Sequence, residues 1–130
     1  MNKTIFAAGI FFGVTAILLG AFGAHGLEKL INDGEITTYD TGVKYQMYHA
    51  LFLLILAGID KITPKGKKVV LILIAIGVIC FSFSLYLLAT NSLTGFDFRR
   101  IGFITPIGGI LLIAGWLMLA YRIFKASDRT

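Results

Sequence analysis

The residues best able to do chemistry in this chain are two histidines, His25 and His49. Imidazole is the side chain that ligates metals, relays protons and both donates and accepts hydrogen bonds near neutral pH. His25 lies in the run Gly23-Ala24-His25-Gly26. His49 is preceded by Tyr45 and Gln46, and Gly42, Gln46 and His49 recur at three to four residues. On a helix that spacing places them on one face, with Tyr45 one position off the line. Arg99, Arg100 and Thr105 are the other polar residues expected at the same level. The reading is a polar pocket in the outer leaflet formed by His25, Tyr45, Gln46, His49 and Thr105, with Arg100 at its rim.

Three chemistries suit such a set. Gln and His hydrogen bonds could tie helices together. His and Arg could bind a lipid headgroup or another small anionic ligand. Two histidines could ligate haem or a metal ion in a redox protein, since imidazole suits those metals. The last has little support, because no cysteine or intramembrane carboxylate accompanies the pair. No cofactor and no metal set are therefore expected. Cys80 is the one cysteine and lies in an apolar run, where it reads as a small buried hydrophobe. No nucleophile elbow, P-loop, zinc motif or Gly-rich dinucleotide fingerprint is present. An enzyme is disfavoured, and a binding or accessory membrane component is expected. An oligomeric pore or transporter is a further alternative. It is weakened because no Asp or Glu falls in mid-span and helices one and four offer mostly glycine and apolar side chains.

The elements that position these residues follow from composition. Of 130 residues, 57% are hydrophobic and 15% charged, against about half and about a quarter in soluble domains. The mean hydropathy is +0.85. That excludes a disordered chain and points to a membrane protein. The net charge of +5 comes from basic residues at the ends of apolar runs. It reads as membrane anchoring, with no nucleic acid partner. Four spans are expected, near residues 4–24, 42–59, 69–90 and 102–123, in one domain over residues 1–130. A span needs about twenty residues. The second run has only ten clean apolar residues, so it must begin near Gly42 and carry Lys44 to His49 into one leaflet. The fold class is all-α, an integral membrane four-helix bundle.

Lys and Arg residues number eight on the side of the N-terminus, the 60–68 loop and the C-terminus, and four on the other. The positive-inside rule then puts both termini in the cytoplasm. The first run is too long for a typical signal peptide and is expected to stay as a helix.

Fifteen glycines include a stripe at Gly9, Gly13, Ala16, Gly20 and Ala24. Small residues let helices approach closely in lipid. The stripe suits packing within one bundle, with a homo-oligomer contact as the alternative. Thr105-Pro106 suits a helix start with Thr105 as the N-cap, the other choice being a helix from Arg100 kinked at the proline.

Four segments carry a resemblance. Leu19-Gly20-Ala21-Phe22-Gly23-Ala24-His25-Gly26-Leu27 and Tyr45-Gln46-Met47-Tyr48-His49-Ala50-Leu51 are the first two. Ser84-Leu85-Tyr86-Leu87-Leu88-Ala89 is the third, and Thr105-Pro106-Ile107-Gly108-Gly109 with Ala114-Gly115-Trp116 the fourth. Together they resemble, in order and over nearly the whole chain, a family of small bacterial inner-membrane proteins known as domain of unknown function 423. That family is similar in turn to a small eukaryotic transmembrane protein. The resemblance implies four spanning helices in the lipid bilayer and no established activity. One departure is Phe83, which stands where the family pattern leads one to expect glycine, at a point of close helix packing.

Overall fold

The computed structural model describes residues 1–127, and among them the regular structure is helical throughout. Helix α1 covers Lys3–His25 and α2 covers Asp33–Gly58. The next helix begins as α3 (Pro64–Val78), passes through a π-helical segment (Ile79–Phe83) and continues as α4 (Ser84–Ala89). Helix α5 runs over Ile104–Ser127.

The starts are set by local chemistry. The Asn2 side chain accepts the Ile5 N–H and caps α1. Asn32 and Glu35 form a reciprocal capping box at the start of α2, satisfying two of the amides that a helix start leaves open. This box begins α2 at Asp33, well before Gly42, so the helix extends past the expected span. Thr63 caps α3 with Pro64 in its first turn, the threonine–proline start that the sequence suggested for residues 105 and 106. At that second site the helix begins at Ile104 instead. Thr105 is its second residue, and its amide donates to the Gly102 carbonyl at 3.3 Å. Pro106 sits in the first turn, where its missing N–H costs nothing. Residues 98–101 form a short 3₁₀ turn. The Gly102 amide donates to Arg99 O at 3.2 Å, so the chain itself supplies the partners in this region.

Helix α2 is the centre of the fold. It runs antiparallel to α1 along their length, and it also packs on α3, the π segment and α4. Helix α5 packs chiefly on α3 and the π segment. At one end of the α1–α2 pair, Asn2 N–H donates to Ala57 O at 3.0 Å. At the other, the Tyr39 hydroxyl donates to Leu19 O at 2.6 Å. Lys67 is 5% exposed and donates Nζ to the same Ala57 carbonyl at 3.0 Å. A cation there complements the open carbonyls of the α2 C-terminus.

The glycines are where the helices touch. A Cβ at Gly9 would strike the Leu54 side chain and the Ala50 carbonyl. One at Gly77 would strike Leu112, and one at Gly108 the backbone of Cys80 and Phe81. The glycines of the α1 stripe, Gly9, Gly13 and Gly20, thus face Leu54, Ala50 and Val43 of α2 within the chain, while Ala24 is exposed. Phe83 does not obstruct packing: its ring lies against Tyr86 with centroids 5.7 Å apart. The close approach is made one residue earlier, by Ser82, whose carbonyl sits against Gly42.

The core contains Ile5, Phe12, Leu53, Leu56, Val70 and Ile74. The outside is as apolar as the inside, with Phe11, Ile17, Leu18, Ile110, Ile113 and Leu117 all exposed. Soluble monomers rarely expose apolar surface on that scale. Three helical stretches are long and apolar enough to cross a membrane: Lys3–Lys29, Pro64–Ala89 and Phe98–Ala126.

Candidate polar site in the helix core

The α2 face predicted from spacing is the buried one. Tyr39, Gly42, Gln46, His49, Leu53 and Leu56 follow one another at three or four residues, and all are buried. Two of them are strongly polar, and each is fully engaged.

Gln46 is 0% exposed. Its amide nitrogen donates to Phe12 O at 2.9 Å and to Thr15 Oγ1 at 2.7 Å. Its carbonyl accepts the Tyr86 hydroxyl at 2.7 Å. One side chain thereby links α1, α2 and α4. Both amide protons and the oxygen are used, which is what burial of an amide requires.

His49 is 4% exposed. Its Nδ1 is 2.7 Å from Tyr45 O, and its Nε2 accepts the indole N–H of Trp116 at 3.0 Å. A backbone carbonyl only accepts and an indole only donates. Those partners assign the neutral Nδ1–H tautomer, leaving no ring lone pair free. The Trp116 ring also meets Phe52 edge-on, with centroids 4.6 Å apart.

A third contact joins Ser84 Oγ and Thr105 Oγ1 at 2.5 Å, tying α4 to the first turn of α5. Ser84 also donates to Phe81 O at 2.8 Å within the π segment. Nearby Ser82 is buried, and its hydroxyl has no hydrogen-bond partner among the described residues.

The residues expected to share one pocket are therefore divided. Gln46, His49 and Thr105 are each bonded to a neighbouring helix. Tyr45 contributes its backbone carbonyl, while its ring is partly exposed and packs on Phe81 with centroids 4.8 Å apart. His25 is exposed at the end of α1. It stands ten residues beyond Thr15, roughly 15 Å along the helix axis. Gln46 bonds to residues in the middle of α1, because α2 starts at Asp33 and pairs with α1 along its length.

Arg100 is exposed as well. Its neighbour Arg99 pairs with Asp97, Nε to Oδ1, at 3.0 Å. Hydrogen bonds from Arg99 hold the Asp97 carboxyl below its ordinary value.

Thr15, Tyr86, Ser84 and Trp116 complete these contacts, and spacing alone did not assign a role to Thr15, Tyr86 or Trp116. Tyr86, Ser84 and Trp116 did lie within the segments that carried the family resemblance, which was the available signal. Beside Thr15 and Tyr86 lies an apolar cleft of about 400 Å³ between α1 and the third span, lined also by Phe11, Leu18, Leu19 and Phe83.

Comparison with known proteins bears on what this arrangement belongs to. The family model described as protein of unknown function (DUF423) matches residues 19–109. A UPF0382 membrane protein of Staphylococcus haemolyticus is 42% identical over 123 residues, covering 95% of this chain and 97% of the relative. The UPF0382 membrane protein YwdK of Bacillus subtilis is 37% identical over 130 residues, covering 95% and 98%. One from Haemophilus influenzae is 37% identical over 116 residues, covering 89% and 90%. No solved structure matches.

Proposed function

The chain belongs to the DUF423 family of proteins of unknown function, and on that premise we propose that it is a four-span component of the bacterial cytoplasmic membrane with a binding or accessory role, not a catalytic one. The observation that carries this reading is the state of Gln46 and His49. Every donor and acceptor on these two buried side chains is spent on the protein's own groups. A general base or a metal ligand needs a free basic lone pair, and His49, with Nδ1–H donating and Nε2 accepting, offers none, while both N–H groups of Gln46 are taken. Their role is to hold α1, α2, α4 and α5 in register. Interactions with lipid or other molecules then fall to the outer surfaces.

The fourth span in this reading is α2. Its first half is too polar for composition alone to mark it as a membrane helix. Its antiparallel pairing with α1, from the Asn2–Ala57 contact to the Tyr39–Leu19 contact, supports a full crossing. The surplus of basic residues at the end with Lys3 and the 60–68 loop supports cytoplasmic termini. Arg129, counted in that surplus, lies outside the described residues.

Two measurements test the proposal. Protein purified in mild detergent should give no stoichiometric Soret band or bound transition metal. A Soret band that disappears in His49→Ala would overturn the reading. In a Cys80→Ser background, a cysteine at Lys65 should react with an impermeant thiol reagent only from the cytoplasmic side. Reaction from the outside would overturn the topology.

A further inference from the structure

At the opposite end of the molecule from His25, the turn after α2 meets the last turns of α5, and between them lies an open cavity of about 180 Å³. Its walls are Lys61, Ile62, Thr63, Arg122, Lys125 and Ala126. Three of the six are cations and none is a carboxylate. We propose that this cavity binds a phosphate-bearing anion, the headgroup phosphate of an anionic membrane lipid.

Four observations lead there. Arg122 is held in place: its stem lies against Gly66, where a Cβ would come within 3.3 Å of Arg122 Cδ. Its Nε is buried and has no hydrogen-bond partner among the described residues. A buried guanidinium donor left open carries a desolvation cost that an anion would relieve. Next, the cavity adjoins the first turn of α3, where Thr63 takes the Gly66 amide and the helix dipole presents its positive end. Further, Tyr121 is stacked with both cations, its ring centroid 6.0 Å from Arg122 Cζ and 5.6 Å from Lys125 Nζ. Tyrosine beside Lys and Arg at the end of an apolar helix marks the headgroup level. Finally, the volume is below the ~300–1,000 Å³ of sites for drug-sized ligands, which suits one phosphate with its acyl chains left in the bilayer. Basic pockets between helices on the cytoplasmic side are a recurrent way to hold acidic lipids.

The shared chemistry is the phosphate, and the test separates its sources. The full chain in detergent is titrated with short-chain phosphatidylglycerol, with phosphatidylcholine and with inorganic phosphate, and bound lipid is read by native mass spectrometry. Phosphatidylglycerol should bind one to one and phosphatidylcholine should not. Arg122→Gln with Lys125→Gln should weaken binding about tenfold, whereas Lys65→Gln with Lys68→Gln, which removes the same charge outside the cavity, should change it less than roughly threefold. Lys125→Gln alone, at an exposed side chain, should weaken it about fivefold and guards against a folding defect in the double variant. Displacement of the lipid by inorganic phosphate at matched concentration would assign the site to free phosphate. Equal binding by wild type and both cavity variants, or equal loss in the Lys65/Lys68 variant, would overturn the site.

Discussion

Trp116 and His49 meet across helices, indole N–H to imidazole Nε2, at 3.0 Å, although 67 residues separate them in the chain. Trp116 is half exposed, with 52% of its surface open, yet it turns its single polar atom inward. Its apolar edge is left for lipid, an arrangement that suits an aromatic with one polar handle. Trp116→Phe removes the donor and should lower stability by about 1–2 kcal/mol, read from melting in detergent. Combining it with His49→Leu should cost less than the two single losses added together. Strict additivity would mean that the contact contributes nothing. Because the chain has one tryptophan, its emission should also move to shorter wavelength in His49→Leu, where the indole loses its acceptor.

Gln46 should be the least replaceable polar side chain. Gln46→Leu strands the Tyr86 hydroxyl in the core, while the Thr15 hydroxyl keeps its bond to Phe11 O, with an expected loss of about 1–3 kcal/mol. Gln46→Glu keeps the shape but sets a carboxyl oxygen against the Phe12 carbonyl, and it should be worse at neutral pH. A double-mutant cycle with Tyr86→Phe should give a coupling of at least about 0.5 kcal/mol. A Gln46→Glu variant as stable as wild type would count against the described bond pattern.

Ser82 gives the opposite sign. Its hydroxyl is buried without a partner among the described residues, so Ser82→Ala removes a desolvation cost and no bond. The variant should melt at the same temperature as wild type or higher. A clear loss of stability would show that the hydroxyl is bonded.

The glycines should not respond alike to alanine. At Gly108 a Cβ would press on the Cys80 and Phe81 backbone, which cannot rotate away. Gly108→Ala should therefore cost about 1–3 kcal/mol, as overpacking does. At Gly13 the nearest atom is the Ala50 Cβ at 3.7 Å, an ordinary contact. There, alanine's better helix propensity should leave stability unchanged or raised by up to about 1 kcal/mol. Paired melts of the two variants check the contrast.

The sequence made the buried face of α2 legible because a helix repeats its face every three to four residues, and Gly42, Gln46 and His49 keep that spacing. The small-residue stripe on α1 was readable on the same ground. The partners of the polar residues were not. Tyr86 and Trp116 reach Gln46 and His49 from helices 40 and 67 residues away, and periodicity carries no such long-range pairing. The start of α2 was missed for a local reason. The second run was measured against hydrocarbon thickness, which set its start at Gly42. The Asn32–Glu35 box, with its characteristic spacing of three, starts the helix at Asp33 and shifts Gln46 and His49 to mid-helix. Thr105 was assigned as a cap from its proline neighbour, but the Ser84 hydroxyl claims its side chain.

The π segment at Ile79–Phe83 makes the third span behave as a helix with one residue inserted. An α-helix turns roughly 100° per residue, so the wider turn resets the phase of everything after it, and Ser84 and Tyr86 come to face α5 and α2 because of that reset. Straightening this segment to a regular α-helix without changing its length would swing Tyr86 about a quarter of a turn away from Gln46. Removing one residue instead lets the wide turn close to an ordinary one, with the later residues near their present faces. A one-residue gap there in a related sequence is therefore compatible with the same core wiring, whereas a gap elsewhere in the span is not.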